Sequence, residues 1–343
     1  MLKLIEVSGA PFEMGIEWGS KVRRQFHAGA KFYKRHWKKL VKHSWRESVK
    51  ILEPTIALTQ KLLPLTFAEL QGVGKGSGVP WQDLFVLNSF ESIEHISTRE
   101  RCTSIITRRQ NRVLLAHNED WIYSDRKWIY VLKAKPTNMP AFLVMPYGCW
   151  MQTYGINSSG IAFVADSDHS RIMRPAISST FIGREIMRCR TINAAIKRIT
   201  LLPRAESHTY VLTDANGDAG GVETTATSHT VIRSQHNYFV HANYFQSKLN
   251  RYMTKPRRAY SRFRVKRATT LLSKINPLSI EQLRQVLADH EHYPRSICCH
   301  ISEEKHSQID EQTIASIMMD SQARTLCVVQ GNPCRGKLQK FSL

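Results

Sequence analysis

The sequence predicts an α+β protein whose sheets are mainly antiparallel. From residue 102 onward, β-branched and aromatic runs such as "GIAFVADS" and "NYFVHANYF" are separated by Asn-Gly or Gly-rich turns. Helical patterns at about 178–201, 261–275 and 279–289 interrupt these runs without a regular strand–helix alternation. At 343 residues and 42% hydrophobic content, the chain can form a substantial core in one large domain or two ordinary ones.

Strand-like runs are nearly absent before residue 102. We therefore expect residues 1–101 to be a mostly helical segment that packs on a sheet-rich core of residues 102–343. The clearest helix of this segment carries apolar residues at spacings of three and four: Phe26, Ala30, Tyr33, Trp37, Leu40, Val41 and Trp45. Basic residues fill its other face, which favours an amphipathic helix with a solvated basic surface over a membrane or nucleic-acid contact.

The chain is strongly basic, with 49 Lys and Arg against 28 Asp and Glu, a net charge of +21. The excess lies in residues 21–50 and 248–274, and it predicts an anionic partner. In the second stretch we expect a helix from about Ser261 to Ser273, with Ser261 as N-cap and exposed basic side chains. Aromatic residues lie between its arginines, as in a single-stranded nucleic-acid groove, but core packing explains them equally well, so nucleic acid is a less favoured partner.

No run of ~18 apolar residues and no signal-peptide pattern occurs, so the expected location is the cytoplasm. The seven cysteines are odd in number and widely spread, which fits a reducing compartment. No CxxC pair occurs, and the adjacent Cys298 and Cys299 would diverge on a strand. The sequence therefore predicts neither a structural zinc site nor any other metal site.

Cys102 is the first candidate for chemistry, although a lone cysteine is more often a small buried hydrophobe. A hairpin around "RRQNR" would return Asn118 to Asp120 close to Cys102, where a carboxylate can orient a protonated amine. Asn243 ends a strand and can donate its amide to an oxyanion. Each feature also has a purely structural explanation: Asp120 as a turn cap, Asn243 as a strand terminator and "INSSG" as a hairpin loop.

Eight segments in order resemble the landmarks of the penicillin acyltransferase (acyl-coenzyme A:6-aminopenicillanate acyltransferase) family. They are "GAPFEMGIEWG", "CTSI", "HNEDW", "YGINSSGIA", "YVLTDANGDAGGVET", "HANYF", "SICCH" and "TLCVVQGNPC". Their order and spacing run almost from end to end of the chain. The resemblance implies an N-terminal-nucleophile hydrolase: a four-layer αββα sandwich with two stacked antiparallel sheets.

The resemblance also implies a maturation step and a set of site residues. Family members cut themselves just before a cysteine, which places the cleavage site between Arg101 and Cys102 and leaves the two fragments as a heterodimer. Cys102 would be the nucleophile and its freed α-amino group the base, with Asp120 supporting that amine and Asn243 binding the oxyanion. The expected substrate-binding residues are Asn118, Trp121, Tyr154, Asp166, Arg295 and Cys299. No cofactor or metal is required, and acyl-coenzyme A is possible as a substrate.

The sequence departs from the family pattern at three positions. Arg101 stands where glycine is common, and its long charged side chain could hinder self-cleavage. Cys299 replaces a pocket arginine, for which nearby Arg295 is a candidate substitute, and Asp166 replaces an asparagine. Because the last two changes alter the polarity of the pocket, we do not transfer the penicillin substrate to this chain.

The leading hypothesis is an amidohydrolase or acyltransferase that acts on a small-molecule amide or acyl-coenzyme A through a thioester on Cys102. The competing hypothesis is a catalytically silent member of the fold, in which Arg101 blocks maturation and the basic helices bind nucleic acid, membrane or protein. A cleaved chain with one hyper-reactive cysteine favours the enzyme, whereas an intact chain with an unreactive Cys102 favours the binding protein.

Overall fold

The computed structural model of the chain describes residues 1–93, 102–109, 112–151, 154–168, 170, 172–234, 237–253, 259–275, 279–301 and 306–343. Arg101 lies outside these residues. The helices are α1 (Pro11–Lys21), α2 (Arg23–Val41), α3 (Trp45–Leu62), α4 (Pro64–Ser77), α5 (Trp81–Asn88), α6 (Phe90–Ile93), α7 (Ser179–Met187), α8 (Ile192–Leu201), α9 (Ala259–Ile275) and α10 (Ile280–Leu287). Short 3-10 helices span Tyr123–Trp128 and Lys248–Tyr252.

Fourteen strands are present within the described ranges. They are β1 (Leu4–Gly9), β2 (Thr103–Arg109), β3 (Arg112–Ile122), β4 (Val131–Pro136), β5 (Phe142–Val144), β6 (Gly155–Asn157), β7 (Ala162–Ser167), β8 (His208–Thr213), β9 (Ala219–Thr224), β10 (His229–Arg233), β11 (Tyr238–Ala242), β12 (Glu311–Asp320), β13 (Thr325–Gln330) and β14 (Leu338–Ser342). Sheet A has the order β1-β4-β5-β6-β7-β8-β9-β10, and sheet B has the order β11-β2-β3-β12-β13-β14. The β1–β4 pair is parallel and the other strand pairs of these two sheets are antiparallel, so the predicted mainly antiparallel α+β class is confirmed.

The two sheets stack face to face, with β2 and β3 of sheet B against β7 and β8 of sheet A. Successive side chains of a strand point to opposite faces, and β3 follows this rule. Leu115 belongs to the large core that sheet A shares, whereas Leu114 belongs to a smaller core with Leu272 of α9 and Leu283 of α10. Helices α1 and α8 contact sheet A, while α9 and α10 contact sheet B. The architecture is therefore the predicted four-layer αββα sandwich.

Helices α1 and α4 pack closely because glycines line their contact. A Cβ on Gly72 would lie 2.1 Å from the carbonyl oxygen of Phe12, and one on Gly76 would lie 2.0 Å from that of Ile16. Real Cβ atoms do not approach backbone oxygens so closely, so these positions need glycine for the two backbones to meet. This contact joins two of the helices that the sequence places before Cys102.

The amphipathic helix predicted from Phe26 is α2, and its apolar face is buried as expected. The basic side chains that alternate with that face are exposed: Lys31, Lys34, Arg35, Lys38, Lys39 and Lys42. The helix ends before Trp45, because Lys42 adopts a left-handed conformation with φ of 66° and Ser44 caps α3 with Glu47 in a capping box. Trp45 nevertheless packs against Trp37, at 4.8 Å between ring centroids.

The later helices differ from the expected pattern in three details. The pattern over 178–201 forms two helices, α7 and α8, rather than one. Helix α9 begins at Ala259, so Ser261 is a buried residue of its first turn and not its N-cap. The expectation that the basic side chains of this helix are exposed is wrong for Arg264, because the spacing of Ser261, Arg264, Ala268 and Leu272 turns all four toward sheet B. In the part of the chain that the structure describes, no helix is long and apolar enough to span a bilayer.

Candidate active site

The predicted hairpin brings Cys102 beside the "HNEDW" segment. Strands β2 and β3 pair in antiparallel register, with Thr103 opposite Asn118, so Cys102 lies opposite Glu119. Cys102 has a φ of 74°, which is uncommon for a residue with a side chain and costs on the order of 1–3 kcal/mol. The backbone at this position is therefore strained just where strand β2 begins.

The Cys102 thiol is buried and faces acidic groups. Its Sγ lies 3.6 Å from Glu119 Oε2. Burial, followed by the negative charges of Glu119, Asp166 and Asp120, raises the pKa of the thiol well above its usual value, although the backbone N–H of Asp120 donates to the sulfur and opposes this shift. In the intact chain, Cys102 is therefore a protonated thiol at neutral pH, and added positive charge beside it would be stabilised.

Glu119 occupies the centre of a buried hydrogen-bond network that sequence reasoning did not single out. Its Oε1 accepts a bond of 2.7 Å from the Tyr147 hydroxyl, and its Oε2 lies 3.0 Å from His117 Nε2. His117 Nδ1 lies 3.0 Å from the Ser104 hydroxyl. The alternation of β3 places His117 and Glu119 on the same face, between the sheets, which is the signal that could have found them.

Asp166, a predicted substrate-binding residue, joins this network to a second histidine. It lies 2.9 Å from His241 Nδ1 and 3.8 Å from His117 Nδ1. Burial would raise the pKa of Asp166, but the hydrogen bond and charge of His241 lower it. Burial disfavours the charged form of His241 and so acts to lower its pKa. Its interactions with Asp166, Asp168 and Glu223 outweigh this effect and raise the pKa to about 10. A charged Asp166–His241 pair thus replaces the neutral amide expected for an asparagine at position 166.

Asp120 points to the opposite face of β3, toward α9. Its Oδ1 accepts a hydrogen bond of 2.5 Å from Thr313 on β12, and its Oδ2 lies 3.8 Å from Arg264 Nη1. Burial raises the pKa of Asp120 to about 6, against the lowering effects of Arg264 and Thr313. Asp120 is consequently a carboxyl group whose charge depends on a buried arginine.

Arg264 is the principal site residue that the sequence analysis missed. Its Nη1 donates to the backbone carbonyl of Cys102 and, at 2.7 Å, to the Thr103 hydroxyl. Its Nη2 donates to Asn243 Oδ1 at 2.9 Å. One guanidinium therefore connects the residues around Cys102 with Asp120 and Asn243. The signal was the spacing of small and apolar residues on α9, which puts Arg264 on the buried stripe of that helix.

Asn243 follows β11 and is fully buried. Its Nδ2 donates to the carbonyl of Ser167 at 3.0 Å, and its Oδ1 accepts from Arg264. Because β11 pairs with β2, with Ala242 opposite Thr103, Asn243 reaches the same end of sheet B as Cys102. An amide nitrogen has a second hydrogen, so Asn243 retains the donor capacity that an oxyanion site requires.

The other predicted residues have varied surroundings. Asn118 Nδ2 donates to the carbonyls of Leu287 and Ile297, which ties β3 to the end of α10. Trp121 Nε1 donates to the Tyr33 hydroxyl at 2.9 Å within an aromatic cluster. Both side chains are buried and make structural contacts.

Three predicted substrate-binding residues remain: Tyr154, Cys299, which replaces the family's pocket arginine, and Arg295, the candidate substitute for that arginine. Tyr154 packs edge-on against His117 at 5.2 Å between ring centroids. Cys299 is half-buried, and its backbone N–H donates to the same Thr313 hydroxyl that binds Asp120. Arg295 is exposed, with its guanidinium over the Tyr260 ring. The arginine that contacts Asp120 therefore comes from α9.

Residues 107–335 match the family model of the acyl-coenzyme A:6-aminopenicillanic acid acyl-transferases. The chain belongs to this family. Its members are enzymes of amide and acyl-transfer chemistry, which does not favour the silent binding protein. In the reaction for which the family is named, acyl-coenzyme A is a substrate and not a cofactor. The matched region begins five residues after Cys102, so the match itself does not cover that residue.

Solved structures of similar fold include penicillin V acylase from Agrobacterium tumefaciens, 14% identical over 71% of this chain and 86% of that one, with a TM-score of 0.48. A mutant of conjugated bile acid hydrolase from Clostridium perfringens is 11% identical over 71% of this chain and 97% of that one, with a TM-score of 0.44. A second variant of the same hydrolase is also 11% identical with the same coverage, with a TM-score of 0.43.

Proposed function

We propose that this family member is an N-terminal-cysteine amidohydrolase or acyltransferase, produced as a precursor that cleaves itself between Arg101 and Cys102. The observation that carries the proposal is the position of the Arg264 guanidinium, which contacts the Cys102 carbonyl and the Asn243 amide beside Asp120. Such convergence of a thiol, a carboxyl group and an amide donor at one strand end supports nucleophilic acyl chemistry.

The first reaction is the cleavage of the precursor. The Cys102 sulfur attacks the carbonyl carbon of residue 101, and Glu119, at 3.6 Å from the sulfur, is suitably located to accept the thiol proton. Collapse of the tetrahedral intermediate breaks the C–N bond, and the proton passes to the leaving nitrogen. Water then hydrolyses the thioester, which leaves a new carboxylate on residue 101 and a free α-amino group on Cys102. The strained φ of Cys102 favours this step by raising the energy of the intact backbone.

The second reaction uses the liberated amine. An α-amino group with an ordinary pKa near ~8 is suited to take the thiol proton at neutral pH. Asp120 and Glu119 would hold its protonated form, since both carboxyl groups lie close to Cys102. The thiolate then attacks an amide or thioester carbonyl, Asn243 stabilises the oxyanion, and water or an amine resolves the thioester.

The proposal extends to the chemical class of the acyl donor and of the acyl acceptor. The basic surface, including the exposed face of α2, favours an anionic donor such as acyl-coenzyme A. The candidates for contact with the substrate are Asp166 and Tyr154, which lie near Cys102, and Cys299, which shares the Thr313 hydroxyl with Asp120. The charged pair of Asp166 and His241 differs from a neutral amide, so we expect the acyl group or the amine to differ from that of penicillin formation.

A labelling experiment tests this function. The mature protein is treated with a thiol-directed acyl-transfer inhibitor and digested, and the modified cysteine is mapped by mass spectrometry. We expect one rapidly modified residue, Cys102, and its protection by an acyl-coenzyme A or N-acyl amine that serves as substrate. Cys327→Ser provides a matched control because it removes a buried cysteine of β13. Modification spread evenly over several cysteines, with no protection, would argue against the proposal.

A further inference from the structure

Four potential metal ligands converge at a point outside the candidate active site. They come from the segment that follows α10 and from the connection between β13 and β14: His290, Cys298, His300 and Cys334. The two sulfurs are 3.7 Å apart, and the Nε2 atoms of the two histidines are 3.1 Å apart. His300 Nε2 lies 3.3 Å from Cys298 Sγ and 3.6 Å from Cys334 Sγ. These atoms thus form a compact four-cornered cluster.

Four of the six edges of this cluster match those of a tetrahedral zinc site, and all four ligand atoms lie within 4.8 Å of one another. Zinc–sulfur bonds of ~2.3 Å and zinc–nitrogen bonds of ~2.0–2.1 Å give tetrahedral edges of about 3.8 Å between sulfurs, about 3.6 Å between sulfur and nitrogen and about 3.3 Å between nitrogens. The observed separations between these atom pairs lie within 0.3 Å of those values. Hydrogen bonding alone does not require two thiols and two imidazoles to aim at one point.

We propose that His290, Cys298, His300 and Cys334 bind one structural Zn²⁺ ion. Two thiolates and two imidazoles in tetrahedral array favour zinc over magnesium or calcium, which prefer oxygen ligands, and four protein ligands leave no open position for catalysis. Binding releases the protons of the two thiols, so the site carries a Zn²⁺ ion with two thiolates and no net charge.

The surroundings of the cluster are those of a supported metal site. Asn332 Nδ2 lies 3.5 Å from Cys298 Sγ and donates to the carbonyl of Cys299 at 2.8 Å. Amide hydrogen bonds of this kind stabilise a thiolate ligand and fix its orientation. Arg284 of α10 donates to the carbonyl of Pro333 at 2.7 Å, so α10 and the Cys334 segment are already in contact.

The proposed zinc site would also hold in place the segment around Cys299, which is linked to the candidate active site by hydrogen bonds. Cys299 stands between two ligands, and its N–H donates to Thr313, whose hydroxyl in turn donates to Asp120. A zinc ion that holds Cys298 and His300 in place would therefore also hold the Cys299 backbone N–H, which orients the Thr313 hydroxyl. We expect metal loss to lower thermal stability and to loosen the Asp120 contact.

This proposal departs from the sequence-based expectation of no metal site. That expectation relied on the absence of a CxxC pair, but here the ligands are spread over residues 290–334 and meet through the packing of α10 against sheet B. Only Cys298 and His300 are close in sequence. A pattern search for short ligand spacings does not detect such a site.

Metal analysis of the purified full-length protein tests the proposal. We expect one zinc per chain by elemental mass spectrometry, loss of that zinc in Cys298→Ser/Cys334→Ser, and its retention in Cys327→Ser. Cys102→Ala is a second control, because Cys102, His117 and Glu119 form another compact group of potential ligands. Retention of zinc in that variant assigns the metal to the proposed site.

A second measurement covers protein that loses its metal during purification. Chelator-treated, reduced wild type is titrated with Co²⁺, and we expect the visible absorption of tetrahedral cobalt with thiolate ligands at one equivalent, absent from the double serine variant. Folded wild type that neither contains zinc nor binds Co²⁺ would overturn the proposal. So would a Cys298–Cys334 disulfide in protein purified under reducing conditions, or zinc that disappears in Cys102→Ala but persists in the double serine variant.

Discussion

Arg264 Nη2 donates a hydrogen bond of 2.9 Å to the side-chain oxygen of Asn243. Because the amide oxygen is held in this way, the amide nitrogen of Asn243 has a fixed direction. The same guanidinium contacts the Cys102 carbonyl, so a single buried side chain orients two groups of the candidate site.

Replacement of Arg264 should impair both self-cleavage and turnover. Arg264→Lys keeps the positive charge but loses the planar fork that reaches Cys102 and Asn243 together, so we expect a fall of roughly 10²–10³ fold, comparable to the loss of one oriented donor. Arg262→Ala is the matched control, since Arg262 is exposed on the same helix with its guanidinium over Tyr244. Cleavage and turnover of Arg264→Lys at the wild-type rate would exclude this role.

Asn243→Ala should lower turnover by up to ~10²–10³ fold, because it removes the donor expected to stabilise the oxyanion. Steady-state kinetics on the mature enzyme measure this effect, which should appear mainly in kcat if the donor acts only in the transition state. Asn193→Ala on α8 is a control, as Asn193 makes a surface contact with Arg233. An unchanged kcat in Asn243→Ala would remove Asn243 from the oxyanion role.

The free energy of unfolding should carry a pH-dependent contribution from Asp125. Burial raises the pKa of this carboxyl group to about 7, despite the hydrogen bond that the Tyr33 hydroxyl donates to it, whereas its unfolded value is near 3.8. Between about pH 4 and 7 the folded chain then binds more protons than the unfolded chain. This contribution to the free energy of unfolding is fully present below pH 4 and is lost as the pH rises through 7. The loss amounts to up to a few kcal/mol, at ~1.4 kcal/mol per pH unit.

Urea unfolding of the uncleaved Cys102→Ala chain at pH 5 and pH 8 measures this contribution. Adding Asp125→Asn should make the stability fall less steeply between these two pH values, because the neutral amide does not ionise. Asp218→Asn is the control, since Asp218 is an exposed residue. Identical pH dependence with and without Asp125→Asn would show that Asp125 does not titrate in this range.

Gly76→Ala should lower the free energy of unfolding by ~1–3 kcal/mol. Its new Cβ would lie 2.0 Å from the Ile16 carbonyl oxygen, so α1 and α4 would have to separate. Gln71→Ala, a half-buried position on the same helix, controls for the change in helix propensity. The midpoint of urea unfolding provides the comparison, and equal midpoints for the two variants would contradict the close packing of these helices.

Local periodicity in the sequence predicts the mainly antiparallel α+β class and the hairpin well, whereas the four layers were predicted only through the resemblance to the family. The alternation of the two apolar runs, with the hairpin predicted around "RRQNR", was enough to pair Cys102 with the "HNEDW" segment. Strand β1 was not predicted, since six residues before a helix give a weak signal and their parallel partner β4 lies more than 120 residues away.

The polar interior was much harder to predict. Arg264 sits in one of the most basic stretches of the chain, where a charged residue is usually exposed, and only the packing of α9 reveals its burial. Likewise, Glu119 and His241 become partners of Cys102 and Asp166 through contacts between separate strands and sheets. Such contacts depend on tertiary packing, so spacing within one segment does not disclose them.

Intact mass spectrometry of freshly purified protein under denaturing conditions tests the central claim most directly. Scaled by length, 101 and 242 of 343 residues of the 39.4 kDa chain correspond to fragments of about 11.6 and 27.8 kDa. The account predicts both fragments in the wild type, with Cys102 as the new N-terminal residue, and a single unbroken chain in Cys102→Ala. An unbroken chain in both samples would contradict it, because no free α-amino group would then exist to act as the base.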